Sequence, residues 1–148
     1  MHKSFFYAII KEMKQGRIMS LDYGEVRIGI AMSDLLQTIA SPFETYRRKG
    51  HDQDITYLSN LARENEVVKI VIGLPLNMDG TEGERAEKTR EFGEKLKEKT
   101  GVDIVFVDER LSSVEAEEML IQSGMRREKR KEVIDKVAAA IILESYLK

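Results

Sequence analysis

The chain moves between two hydrophobic rhythms. Residues 26–33 alternate large and small, with Val26, Ile28, Ile30 and Met32 set against Arg27, Gly29, Ala31 and Ser33. That is the period of a strand. Residues 17–22 and 37–46 also read as strands, and Pro42 suggests an edge position for the second. The short links Tyr23-Gly24-Glu25 and Asp34-Leu35-Leu36 suit antiparallel hairpins. The rhythm then changes. Ile55, Leu58, Leu61 and Ala62 recur at helical spacing and predict a helix over 52–66. Residues 67–72 are almost wholly apolar and β-branched, the mark of a strand covered on both faces, and Gly73-Leu74-Pro75 ends it. A helix over 82–100 turns Ala86, Phe92 and Leu96 inward and stops at Gly101. Residues 102–107 form the fifth strand. Ser112-Ser113-Val114-Glu115 fits a capping box, which predicts a helix from there to Gly124. The last helix, over 132–147, buries Ile134, Val137, Ala138, Ile141 and Ile142.

Strands four and five each follow a helical crossover, so both should run parallel to strand one. The fold class is α/β: a mixed five-stranded sheet, three antiparallel strands and then two parallel, with helices on both faces. A chain of 148 residues is the size of one domain. That domain is assigned to residues 17–148, and residues 1–16 form an amphipathic N-terminal appendage, read as one helix.

Composition narrows the chemistry. With 42% apolar and 34% charged residues, the chain is an ordinary globular protein. Its formal charge of -2 makes no bulk case for nucleic acid, so such a partner needs local patches. The absence of cysteine removes disulfides, thiol nucleophiles and Cys-based zinc sites. With only His2 and His51, a His-rich metal site or a Ser-His-Asp triad is hard to build. Carboxylates remain as the main catalytic resource. No stretch approaches the roughly 20 apolar residues that span a bilayer, which points to a cytoplasmic protein without a membrane partner.

Asp22 stands at the tip of a central strand, directly before Tyr23-Gly24. A carboxylate there is costly to desolvate unless it is paired or binds a cation. Equally, Asp22 could order the turn to Gly24 through the local backbone. Asp108 and Glu109 follow strand five, and Asp135 falls in the first turn of the predicted last helix. The ends of strands one and five lie on one sheet edge, the edge where α/β sheets bind ligands. Ala138-Ala139-Ala140 would let the last helix approach the sheet and bring Asp135 toward Asp22. Clustered carboxylates stay ionised together only beside a cation, and an oxygen-only set suits Mg²⁺ or Mn²⁺. Two such ions could drive phosphodiester cleavage. Adjacent strand residues point to opposite faces, so one of Asp108 and Glu109 should face the metal. Individually, Asp108, Glu109 and Asp135 could each simply favour a helix N-terminus. Basic residues supply candidate phosphate contacts: Arg47-Arg48-Lys49, the run Arg126, Arg127, Lys129, Arg130 and Lys131, and the single residues Arg27 and Arg110.

Five segments together resemble the YqgF family, also called RuvX, relatives of the RuvC resolvase in the ribonuclease H-like superfamily. They are Leu21-Asp22-Tyr23-Gly24, Arg27-Ile28-Gly29-Ile30-Ala31, the run Gly73-Leu74-Pro75-Leu76-Asn77-Met78-Asp79-Gly80, Asp108-Glu109-Arg110-Leu111-Ser112, and Asp135 with Ile141-Ile142-Leu143-Glu144. The likeness covers about residues 17–147. It implies a ribonuclease H-like fold and a metal-dependent nuclease of the bacterial cytoplasm, linked to maturation of the 5′ end of 16S ribosomal RNA. Carried over, Asp22, Glu109 (or Asp108) and Asp135 hold two Mg²⁺ or Mn²⁺ ions, and Asn77 joins the candidate substrate contacts. One departure stands out: the resolvase pattern places its middle acid at the end of strand four, whereas here that strand ends at Gly73. RNA is the favoured substrate of a monomer or homodimer. The alternatives are a dimeric Holliday junction resolvase acting on branched DNA, a non-catalytic RNA-binding factor, and an ATPase-like phosphate-binding module suggested by Asp22-x-Gly24.

Overall fold

The computed structural model describes Phe5 and residues 16–148. The helix read over residues 1–16 lies outside the described residues apart from Phe5 and Gly16. Strands β1 (Arg17–Tyr23), β2 (Arg27–Ser33), β3 (Ala40–Arg47), β4 (Val67–Leu74) and β5 (Asp103–Asp108) form one sheet in the order β3-β2-β1-β4-β5. The pairs β1–β2 and β2–β3 are antiparallel. The pairs β1–β4 and β4–β5 are parallel. Helices α1 (His51–Glu64), α2 (Glu84–Thr100), α3 (Ser112–Gln122) and α4 (Arg127–Leu147) complete the fold.

The strand period sorts side chains into two cores. Met19, Leu21, Ile70 and Ile72 join Leu58, Phe92 and Leu96 on the face covered by α1 and α2. Ile18 and Val71 join Ala139, Ile142 and Leu143 on the face covered by α4. Each fully buried Leu or Ile contributes about 1.5–3 kcal/mol relative to solvent exposure. Close approach of α4 depends on small residues. Ser20 Oγ donates a 2.6 Å hydrogen bond to the Ala139 carbonyl. A Cβ on Gly29 would lie 1.9 Å from the Asp135 carbonyl oxygen.

Three local expectations change. Strand β3 begins at Ala40, not Gln37, because Asp34 accepts bonds from Thr38 N and Ile39 N and spends those residues on a turn with Gln37 at φ 60°. Pro42 does lie on the edge strand, where the pairing shifts register. The capping box does not form: Leu111 is the N-cap of α3, and Ser112 Oγ donates to the Glu109 carbonyl. The last helix starts at Arg127, so Asp135 lies in its third turn, and most of the basic run is helical.

Candidate active site

The acids meet where β1 and β5 end. Leu21 pairs with Ile72 and Gly73 with Val107, so Asp22 and the residues after Val107 leave the sheet on the same side. Glu109 N bonds the Leu74 carbonyl at 3.3 Å, which fixes the first residue past β5 against the end of β4. Its carboxylate lies over Gly73, where an added Cβ would be 2.5 Å from Glu109 Oε2 and 2.7 Å from Ile142 Cδ1. The bare backbone of β4 is thus the seat of an acid delivered from β5. This answers the departure noted in the sequence: the end of strand four supplies room for a carboxylate instead of the carboxylate itself.

Asp22 and Glu109 line one cavity of about 280 Å³ with Asp135, Arg85, Arg110 and Ser113. Burial pushes the Asp22 carboxyl above its ordinary range; the hydrogen bond from Glu109 and the charge of Arg85 oppose this, and Asp135 adds to it. Glu109 is pushed up to about 9, first by burial and then by the charge of Asp22. Burial therefore acts on both acids in the same direction, and the charge of Asp22 adds to it at Glu109. Glu109 Oε2 is buried without a hydrogen-bond partner. A buried, partnerless carboxylate oxygen beside a second acid is the donor chemistry of a hard divalent cation. Asp22 makes no hydrogen bond that closes the following turn. Gly24 N does so by donating to the Arg27 carbonyl at 2.9 Å, which leaves the Asp22 carboxylate for the cavity.

The remaining sequence candidates divide. Asp135 reaches the same cavity, but its Oδ2 is 2.7 Å from Arg27 Nε. Among the described residues, no group of three acids is arranged to hold a metal ion. Asp108 turns away: it accepts from Arg110 N and Nε, which holds it below the usual carboxylate range, and it lines a separate depression with Met78 and Leu111. Of the two adjacent acids, Glu109 therefore joins Asp22. Arg27 is engaged by Asp135, and Arg110 by Asp108 and the Met78 carbonyl. Asn77 ties its own loop, donating from Nδ2 to Thr81 Oγ1. Arg130 bonds the Met125 carbonyl and approaches Glu117 at 3.4 Å, joining α4 to α3. Arg126, Arg127 and Lys129 are exposed near the start of α4 and line none of the cavities around the acids.

Sequence reasoning did not single out Arg85, in the first turn of α2. It lines the acid cavity and both neighbouring ones, and its charge lowers Asp22 and Glu109. Nothing in the sequence marks it among the many charged residues of Glu84–Thr100.

Residues 16–148 match the family described as "RuvX: Holliday junction resolvase". The chain belongs to the RuvX family. A relative from Clostridioides difficile, named "Putative pre-16S rRNA nuclease", is 49% identical over 135 residues, covering 91% of this chain and 96% of that one. A relative of the same name from Syntrophomonas wolfei is 50% identical over 131 residues, 88% of this chain and 93% of its own. RuvC of T. thermophilus, solved with a Holliday junction substrate, superposes with a TM-score of 0.58 at 10% identity over 89% of this chain and 96% of RuvC. This RuvX member therefore has the ribonuclease H-like fold expected of its sequence. No helix among its described residues is long and apolar enough to cross a membrane.

Proposed function

We propose that this protein is a divalent-metal-dependent nuclease hydrolysing phosphodiester bonds of structured RNA, acting in 5′-end processing of pre-16S ribosomal RNA in the cytoplasm. The observation that carries the chemistry is the pairing of Asp22 and Glu109 in one cavity, with the Glu109 carboxylate seated over Gly73 and its Oε2 buried without a partner. The names of the two relatives support the choice of RNA. Asp22 and Glu109 would hold Mg²⁺ or Mn²⁺. A bound ion supplies an activated water and offsets charge on the departing oxygen. Within the chain, Asp22 and Glu109 would hold the cation as carboxylates, Arg85 places positive charge beside both acids, and Arg110 lines the same cavity while held by Asp108 and the Met78 carbonyl. Asp135 is the third arm; a phosphate that draws Arg27 away releases it toward the cavity.

The test is a cleavage assay on matched RNA, duplex DNA and four-way junctions, with and without Mn²⁺. Asp22→Asn keeps the side-chain shape and removes the charge, and it should abolish metal-dependent cleavage with an unchanged fold. Full activity in rigorously purified Asp22→Asn protein would refute the assignment. Strong preference for four-way junctions by a symmetric dimer would move the reading to a resolvase, which needs two sites facing two strands.

A further inference from the structure

A second cavity, of about 310 Å³, adjoins the acid site and shares Gly24 and Arg85 with it. Arg48, His51 and Lys88 line it, opposed by Glu25 and Glu91. We propose that this cavity is a phosphate subsite for the flanking part of the nucleic-acid strand, one step along the backbone from the bond that is cut. The inference rests on the nuclease reading and adds a place where the substrate is gripped.

Three observations support it. First, Arg85 connects the two cavities and makes no side-chain hydrogen bond or ion pair among the described residues. A backbone leaving the acids must pass it. Second, Arg48 is a fixed positive wall. Its Nε is 2.9 Å from the buried Asp54, and its Nη1 donates to the Gly24 carbonyl at 3.1 Å. No ordering cost falls on substrate binding at that side. Lys88 is the adaptable member, an exposed side chain paired at 3.3 Å with the still more exposed Glu84, a surface pair of small worth that a phosphate can displace. Third, the cavity's phenol ring is unavailable for a base. Tyr23 stacks on Phe92 at 4.2 Å, and the Arg48 guanidinium covers the ring at 4.6 Å. The lining is dominated by charged side chains, Arg48, Arg85 and Lys88 with Glu25 and Glu91, which suits contact with a backbone more than with a base.

Binding of fluorescently labelled single-stranded RNA is measured by anisotropy against salt in EDTA, where no hydrolysis occurs. Each lost phosphate contact should reduce the slope of log K against log salt by about 0.7. Lys88→Ala and Arg85→Ala should each show that loss and the double variant about twice it. Lys97→Ala, on the same helix but outside the cavity, should retain the wild-type slope. Thermal melts confirm that the variants fold. Slopes for Lys88→Ala and Arg85→Ala equal to those of the wild type and Lys97→Ala would overturn the subsite. Cleavage by Asp22→Asn, measured separately, decides the nuclease reading whichever way the slopes fall.

Discussion

Replacing Glu109 with Gln should stabilise the metal-free protein at mildly alkaline pH while destroying its response to metal. In the folded chain Glu109 keeps its proton up to about 9, against an ordinary value of 4.5. Between those limits the unfolded chain has released a proton that the folded chain retains, so stability falls as pH rises through this window. Asp22, also raised, acts in the same direction. At about 1.4 kcal/mol per pH unit, the penalty from Glu109 at pH ~8 has a ceiling of about 5 kcal/mol. Asp22 carries part of the same repulsion and the cavity opens to water, so only about 2 kcal/mol of that ceiling is expected to be recovered. Gln keeps the volume and cannot ionise. For a chain of this length, 2 kcal/mol corresponds to a rise in Tm of about 4–8 °C. Melts in EDTA should show Glu109→Gln above wild type by that amount at pH ~8 and level with it near pH ~4. Added Mn²⁺ should raise the wild type and leave the variant unmoved. A variant no more stable than wild type at pH ~8, or offset equally at every pH, would show that the buried acid pair carries no such strain.

Gly73→Ala should cost about 1–3 kcal/mol in urea unfolding, because its Cβ meets Glu109 and Ile142. It should also suppress cleavage by displacing the Glu109 carboxylate, and full activity would contradict the seat described for that acid. Asp54→Ala should lose about 3–5 kcal/mol, since the fully buried carboxylate accepts from Tyr46, Arg48 and Lys49 N and its removal strands Arg48. A loss below 1 kcal/mol in chemical denaturation, counted as a surface pair would be, would mean that the network is dispensable.

Much of the fold was legible because its strands carry strong signals. The apolar run of β4 and the large-small alternation of β2 admit few other structures. Element ends were less so. The sequence places the basic run before residue 132 ahead of the last helix, but Arg, Lys and Glu are good helix formers, and the helix takes in Arg127 onward. At Ser112–Glu115 the local sequence offered a capping box, yet the Glu109 carbonyl claimed Ser112. The site was half visible. Asp22 was marked by a charge at a strand tip, but the choice between Asp108 and Glu109 turned on where β5 ends and on the Arg110 contact that draws Asp108 aside. Arg85, and the grip of Arg27 on Asp135, could not be read, because each depends on distant elements meeting.

The contact of α4 with Gly29 and Ser20 joins the last helix to the first hairpin across more than a hundred residues. Asp135 is carried by the same turns that make this contact, so what seats α4 on the sheet also sets Asp135 in the acid cavity. A chain cut short before α4 would keep Asp22 and Glu109 but would lose the cover of one sheet face and, with it, Asp135.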